Sequence, residues 1–249
     1  MTHFAQWAGT SPVFGKLRSG FDAFVNVFIA NRAPEIQVEG EILNAVGNHL
    51  GSYFLEYTLN TGLGEFSLYH EHPFEDGSGT RLANFPDGLW GLQFLPQNKS
   101  IFSTLIYEYI DTRDQSQGSN LGLIDNYFQN FIYRSGWTYE GNVIGVPFFV
   151  VDKNNTETNK FTGTRLRVHH IGIAGNVHHA VSFQFKNTFV KNLGTFGVPF
   201  EQPKNSWYSS ASARHTTEKY GTVGVLLGMD TSNGSGTNFG GGVTYAYRF

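Results

Sequence analysis

The feature that most constrains this chain is a two-residue alternation of apolar and polar side chains, repeated in segment after segment up to the carboxy terminus. In the final GGGVTYAYRF, Val243, Tyr245, Tyr247 and Phe249 fall on one side of an extended chain; Thr244, Ala246 and Arg248 fall on the other. In YGTVGVLLGM, Val223, Val225, Leu227 and Met229 oppose Thr222, Gly224 and Gly228. In HAVSFQFKNTF, Val181, Phe183, Phe185 and Phe189 oppose Ser182, Gln184, Lys186 and Thr188. TRLRVHH (164–170) and YFLEYTL (53–59) alternate in the same way, and 64–71, 88–95, 100–111 and 205–214 are further strand candidates. Side chains of a pleated strand point to opposite faces in turn, so this period predicts nine strands. Either 36–46 or the opening HFAQW supplies a tenth.

Alternation fits two solvents. In a soluble sandwich the apolar face is the core and the polar face meets water. In an outer-membrane barrel the apolar face meets lipid and the polar face lines the lumen. Strand lengths near ten residues match the nine to eleven that cross a bilayer. Aromatic residues (Tyr53, Tyr220, Tyr245, Tyr247, Phe249) gather near strand ends, as at a membrane interface. Connections also divide into short (60–62, 96–99, 174–177, 214–219) and long (71–87, 112–160, 191–204, 230–238), in alternation. Short periplasmic turns and long outer loops would produce that pattern. The expected fold is therefore all-β: an antiparallel transmembrane β-barrel with about ten strands in this chain, or part of a larger barrel. A single domain covers 1–249, with 1–49 as an irregular and helical entry segment. Within it Phe21, Phe24, Val25, Phe28 and Ile29 have helical spacing and predict one short amphipathic helix, lying in the lumen, at an interface or across a barrel mouth.

Composition removes several alternatives. There is no Cys, so neither disulfides nor thiolate metal sites are available. A net charge of −3 argues against a nucleic-acid partner. No apolar run reaches the ~18 residues of a membrane helix. MTHFAQWAGTSP lacks the basic start and apolar core of a signal peptide, so export to the outer membrane of a Gram-negative cell would need a signal absent from this chain.

Two segments combine carboxylates, amides, Arg and Trp: 70–92 and 126–149. Planar hydrogen-bonding groups and aromatic faces are what carbohydrate recognition needs. The candidate polysaccharide-binding residues are His72, Glu75, Asp76, Arg81, Asp87, Trp90, Arg134, Trp137, Tyr139 and Glu140. Trp90 and Trp137 would stack on sugar rings, the carboxylates would accept hydroxyl hydrogen bonds, and Arg81 and Arg134 would meet uronates. The bland alternative is folded loops whose Gly, Pro and Asp make turns. Arg165, Arg167, Lys186 and Arg248 are expected to face the lumen, where a passive porin would use them to tune conduction. His70/His72, His169–His170 and His178–His179 raise a metal reading, and the Glu75–Asp76–Gly77 turn a Ca²⁺ reading; His169 and His178 fall too far apart to share an ion, EDGSG is also an ordinary turn, and no metal or cofactor is expected. Ser135 or Ser78 with His72 could be nominated for hydrolysis, but neither Ser lies in a G-x-S-x-G elbow, so no enzymatic activity is expected.

HEHPFEDGSG…NFPDGLWG and NYFQN.IY.SGWTYEG.VIG.PFF resemble the capsule assembly Wzi-type family of outer-membrane proteins, as HFAQWAGTSP…GKL and GNHLGSY do more loosely. The resemblance covers residue 3 to about 150. It implies a transmembrane β-barrel that holds capsular polysaccharide at the cell surface as a lectin. Its partners would then be surface polysaccharide, outer-membrane lipid and, through the strand ending at Phe249, the barrel-insertion machinery. Family members are about twice this length, so the resemblance is to their carboxy-terminal part, and strands missing from a barrel would leave two unpaired edges.

Overall fold

The computed structural model describes residues 1–31, 45–98, 101–117, 124–152, 154 and 160–247. All nine expected strands are present. In chain order the elements are β1 (Thr2–Gln6), β2 (Thr10–Ser11), β3 (Gly15–Lys16), helix α1 (Phe21–Phe28), β4 (Asn48–Thr61), β5 (Gly64–Phe74), β6 (Gly88–Pro96) and β7 (Phe102–Asp111). Then follow the short β8 (Thr138–Tyr139), β9 (Asn142–Val143), β10 (Val150–Asp152) and β11 (Lys160–Gly163). The chain closes with the long β12 (Leu166–His178), β13 (Val181–Gly194), β14 (Pro199–Thr217), β15 (Gly221–Ser232) and β16 (Gly236–Ala246). The tenth strand of the main sheet is β1, from the opening segment; the competing 36–46 lies mostly outside the described residues, as do Arg248 and Phe249.

Ten strands form one antiparallel sheet in the order β1-β4-β5-β6-β7-β12-β13-β14-β15-β16. Each neighbours the next in sequence once the short strands are set aside, the meander that hairpin connections produce. The sheet is open: β1 and β16 are its two edges.

Residues directly opposite in antiparallel strands share a face, so the register sorts every side chain. One face carries a continuous cross-strand row through Glu56, Tyr69, Glu108, His170, Thr188, Tyr208 and Asp230. Its groups bond one another: Tyr69 donates to Glu108 at 2.6 Å, and His170 Nδ1 lies 2.7 Å from the Thr188 hydroxyl. Gly91 lies between Tyr69 and Glu108 in that row, and a Cβ there would overlap the Tyr69 ring. The other face carries rows such as Phe66, Phe94, Leu105, Ile173, Phe185 and Leu227, and these residues do not form a core. Leu55 is 73%, Leu227 61% and Val243 75% exposed. A soluble sandwich would bury this face; here much of it is open, and the polar face is covered only where loops pack on it, with Glu56, Lys186, Tyr208 and Asp230 exposed.

The polar face becomes apolar at the one end where loops cover it. There Leu166, Val168 and Val190 pack with Tyr127, Phe128, Trp137, Phe149 and Phe161 of the long 112–165 connection, with Leu50 and Ile110 against them. This overturns the lumen assignment of two arginines. Leu166 and Val168 take the loop-covered side of β12, so Arg167 lies on the apolar outer face, opposite Asp111 and Lys191. Arg165 precedes the strand and lays its guanidinium 4.0 Å from the Phe196 ring centroid. Lys186 is on the polar face as expected, opposite Ser210 and Gly172.

Connection lengths also differ from expectation at two places. β13–β14 and β15–β16 are joined by 195–198 and 233–235, not by long loops, because their strands run on through polar sequence. The β12–β13 turn is His179–Ala180, beyond the expected AGNV, since Asn176 still pairs with Ser182. The two long connections, 75–87 and 112–165, lie at the same end of the sheet.

Candidate functional site

The two long connections build one platform, and carboxylates tie it together. Asp76 begins it locally: its Oδ1 accepts from the Ser78 amide at 2.7 Å and the Gly79 amide at 3.1 Å, turning the chain into a short 3-10 helix, Gly79–Arg81. EDGSG thus makes a turn, as its residue types favour. The Glu75 carboxylate accepts from the Phe128 amide at 2.6 Å, joining the first connection to the second. Asp87 makes a second tie. It accepts from the amides of Asp114 and Gln115, at 3.0 and 2.9 Å, and from the Tyr127 hydroxyl at 2.9 Å. Asn84, fully buried, donates to Pro73 O and to the Tyr127 oxygen. Ser116 donates to Asp125.

Burial dominates the electrostatics of this platform. It raises Asp87 from 3.8 to about 6 and Asp125 from 3.8 to about 6, and drives Glu75 well above the usual carboxylate range. Mutual repulsion adds to it, since Asp76 faces both Asp125 and Glu75. Burial also pushes the Tyr127 hydroxyl up, with Asp87 beside it.

The second connection is pinned from the amino-terminal segment. Gln6 Nε2 donates to Gly136 O at 3.0 Å, Asn48 Nδ2 to Gln6 Oε1 at 2.8 Å, and Asn130 Nδ2 to Asn48 Oδ1 at 3.1 Å. Ser11 donates to Ile132 O at 2.7 Å. Gly136 has φ +57°, and a Cβ there would overlap the Phe128 carbonyl. That close approach permits the 3.0 Å bond from the Trp137 amide to Phe128 O.

The ten candidate residues separate accordingly. Trp137 is 6% exposed, so its ring is part of the loop core and presents no face for stacking. Glu75 and Asp87 bond backbone amides from inside the platform, and buried His72 places Nε2 3.3 Å from Gly79 O. Trp90 lies on the outer face: it stacks on His70 with centroids 3.8 Å apart and donates to Pro86 O. Asp76, Arg81, Tyr139 and Glu140 are exposed, the last two at the β8–β9 hairpin, and half-buried Arg134 sits 4.8 Å from the Phe131 ring centroid. Sequence reasoning missed Asn84, Gln115, Asp125 and Tyr127, which carry much of the network. Nothing in their local pattern separates them from ordinary loop residues, since each matters through a partner distant in sequence. The Ser78 hydroxyl donates to Asp76, so it is not aimed at His72. Among the described residues no group of three or more His, Asp or Glu is arranged to hold a metal ion.

The fold and platform together define a class: an antiparallel meander whose apolar side is exposed and whose polar side is capped by loops at one end. Comparison with protein-family models, with curated proteins and with solved structures finds no match.

Proposed function

We propose that this chain is a membrane β-barrel protein, or part of one, of the Gram-negative outer membrane, and that its loop platform binds surface polysaccharide in the manner the Wzi-type resemblance implies. The observation that carries the reading is the inside-out sheet. Apolar rows exposed over the long strands are costly in water, at roughly 25 cal/mol per Å², and favourable in hydrocarbon. On β13 the outward residues Val181, Phe183, Phe185 and Phe189, with Asn187 among them, span roughly 26 Å of strand at ~3.3 Å per residue, which is roughly 20 Å of height at a tilt of about 40°, against an apolar band about 25 Å tall. Aromatic and imidazole rings bound that band. His70, Trp90, Tyr109, His169, Phe189 and Trp207 form one cross-strand row at the platform end; His215 and Tyr245 flank Val223 at the other.

Within this reading the ligand meets the exposed subset: Arg81 and half-buried Arg134 for carboxylates, Tyr139 as the apolar surface for a sugar face, Asp76 and Glu140 for hydroxyls. The buried subset holds their backbone in place. An acidic polysaccharide is the chemistry that the two arginines favour. The test is binding of purified protein, and of cells bearing it, to acidic capsular polymer. Arg81→Ala with Tyr139→Ala should weaken binding at least tenfold and leave heat-resistant sheet structure unchanged. Unaltered binding would reject the assignment. The loop core against the polar face favours a plugged lumen over a porin, so conductance in planar bilayers should be small; large, steady conductance would favour the porin.

A further inference from the structure

Helix α1 is apolar on two sides. Ala23 and Val27 are buried against the protein, and Val27 Cγ2 and His49 Nε2 both approach Gly47, 3.4 and 3.6 Å from where a Cβ would stand. The opposite stripe, Phe21, Phe24, Val25, Phe28 and Ile29, is exposed, and Phe21 and Phe28 are 80% and 76% accessible. Phe21, Phe24 and Phe28 stack along it at centroid spacings of 6.2 Å. An eight-residue helix in water gains nothing from such a stripe.

Its position says what the stripe meets. His49 pairs with Ala5 and belongs to the same side of β4 as Tyr53, Leu55, Tyr57 and Leu59, which is the outer apolar face. The helix therefore docks on the outer rim of the sheet, not under it. The aromatic row of that rim runs from Trp90 and His70 through His72, Tyr53 and Phe74 to His3 and His49. Trp7, which directly follows β1, continues it by packing on Phe24 at 5.7 Å. His72, Phe74 and His49 are the buried links of this row, and through them the Phe stripe joins the ring of His70 and Trp90 that the barrel reading places at the bilayer surface.

We infer that α1 is an interfacial anchor, laying Phe21, Phe24 and Phe28 into the lipid at the platform end of the sheet, beside edge strand β1. This rests on the membrane reading above. Amphipathic helices bind the interface in this way through buried apolar area.

The chain has no Cys, so single cysteines can be labelled cleanly. Phe21→Cys, Phe28→Cys, Asn26→Cys and Leu227→Cys would each carry a nitroxide, in protein reconstituted into phosphatidylcholine vesicles. Collisions with oxygen report lipid; collisions with a nickel chelate report water. Labels at 21, 28 and 227 should all favour oxygen several-fold, whereas the label at 26 should favour nickel. Lipid at 227 with water at 21 and 28 would overturn the anchor and keep the barrel. Labels at 21 and 28 shielded from both reagents would overturn it in favour of a covering protein surface. Lipid at 21 and 28 with water at 227 would keep the anchor and reject the barrel, and water at all positions would reject both.

Discussion

Asp87 shows how one carboxylate can set the pH behaviour of a loop platform. Its pKa is raised by burial from 3.8 to about 6, so the folded platform holds a proton that the unfolded chain releases. That contribution is fully present below the ordinary value and is lost as pH rises through about 6. At ~1.4 kcal/mol per unit it is on the order of 3 kcal/mol. Asp125 shifts in the same window and Glu75 in the same direction. Amide protection factors around Tyr127, which divide out the intrinsic pH dependence of exchange, should therefore be larger at pH 5 than at pH 8. Asp87→Asn, which removes the charge and keeps an acceptor oxygen, should flatten the dependence. Asp87→Ala should loosen the platform at every pH, because the Asp114 and Gln115 amides lose their acceptor at about 1–3 kcal/mol each. At Gly91 the argument is steric: Gly91→Ala should displace Tyr69 from Glu108 at about 1–3 kcal/mol, and Tyr69→Ala in the same chain should recover most of it. A chemical-denaturation cycle reads both changes.

Among the elements, the long connection between β7 and β12 departs most from a loop as sequence suggests it. It carries four short strands and supplies most of the largest hydrophobic cluster among the described residues. Its fold depends on Gly136, where a non-glycine residue at φ +57° costs about 1–2 kcal/mol before the overlap with Phe128 is counted. Gly136→Ala should red-shift and broaden the emission of Trp137 while the far-ultraviolet signature of the long strands persists. Retained blue emission would show that the loop core does not require the close approach. The same element explains the arginine correction. TRLRVHH alternates as a strand should, and the pattern separates Leu166 and Val168 from Arg165 and Arg167. It does not say that the apolar pair would be claimed by Phe149 and Phe161, which come from a segment folding back over the sheet.

For the whole molecule the open sheet is the governing fact. β1 pairs only Asn48–Ser52 of β4, so among the described residues Tyr53–Thr61 has β5 on one side and no strand on the other. β16 is the second edge, exposed along its length. Unpaired backbone groups are poorly tolerated in hydrocarbon, so the bilayer state needs these edges paired. In detergent, amide exchange should be slowest in the middle of β12 and β13, which have neighbours on both sides, and fastest in β16 and the far half of β4. Uniform protection across the ten strands would show that the edges are closed in solution.

The strand set and the division of each strand into two faces were legible in the sequence, because the pleat imposes period two locally and no distant residue can change it. The helix was legible for the same reason, from its 3.6-residue spacing. Where the loops would cover the sheet, which side of β12 would point under them, and whether Trp137 would be offered or buried were not legible. Those depend on what packs against a side chain from far along the chain, and only the tertiary structure brings Gln6 to Gly136, Glu75 to Phe128 and Asp87 to Tyr127.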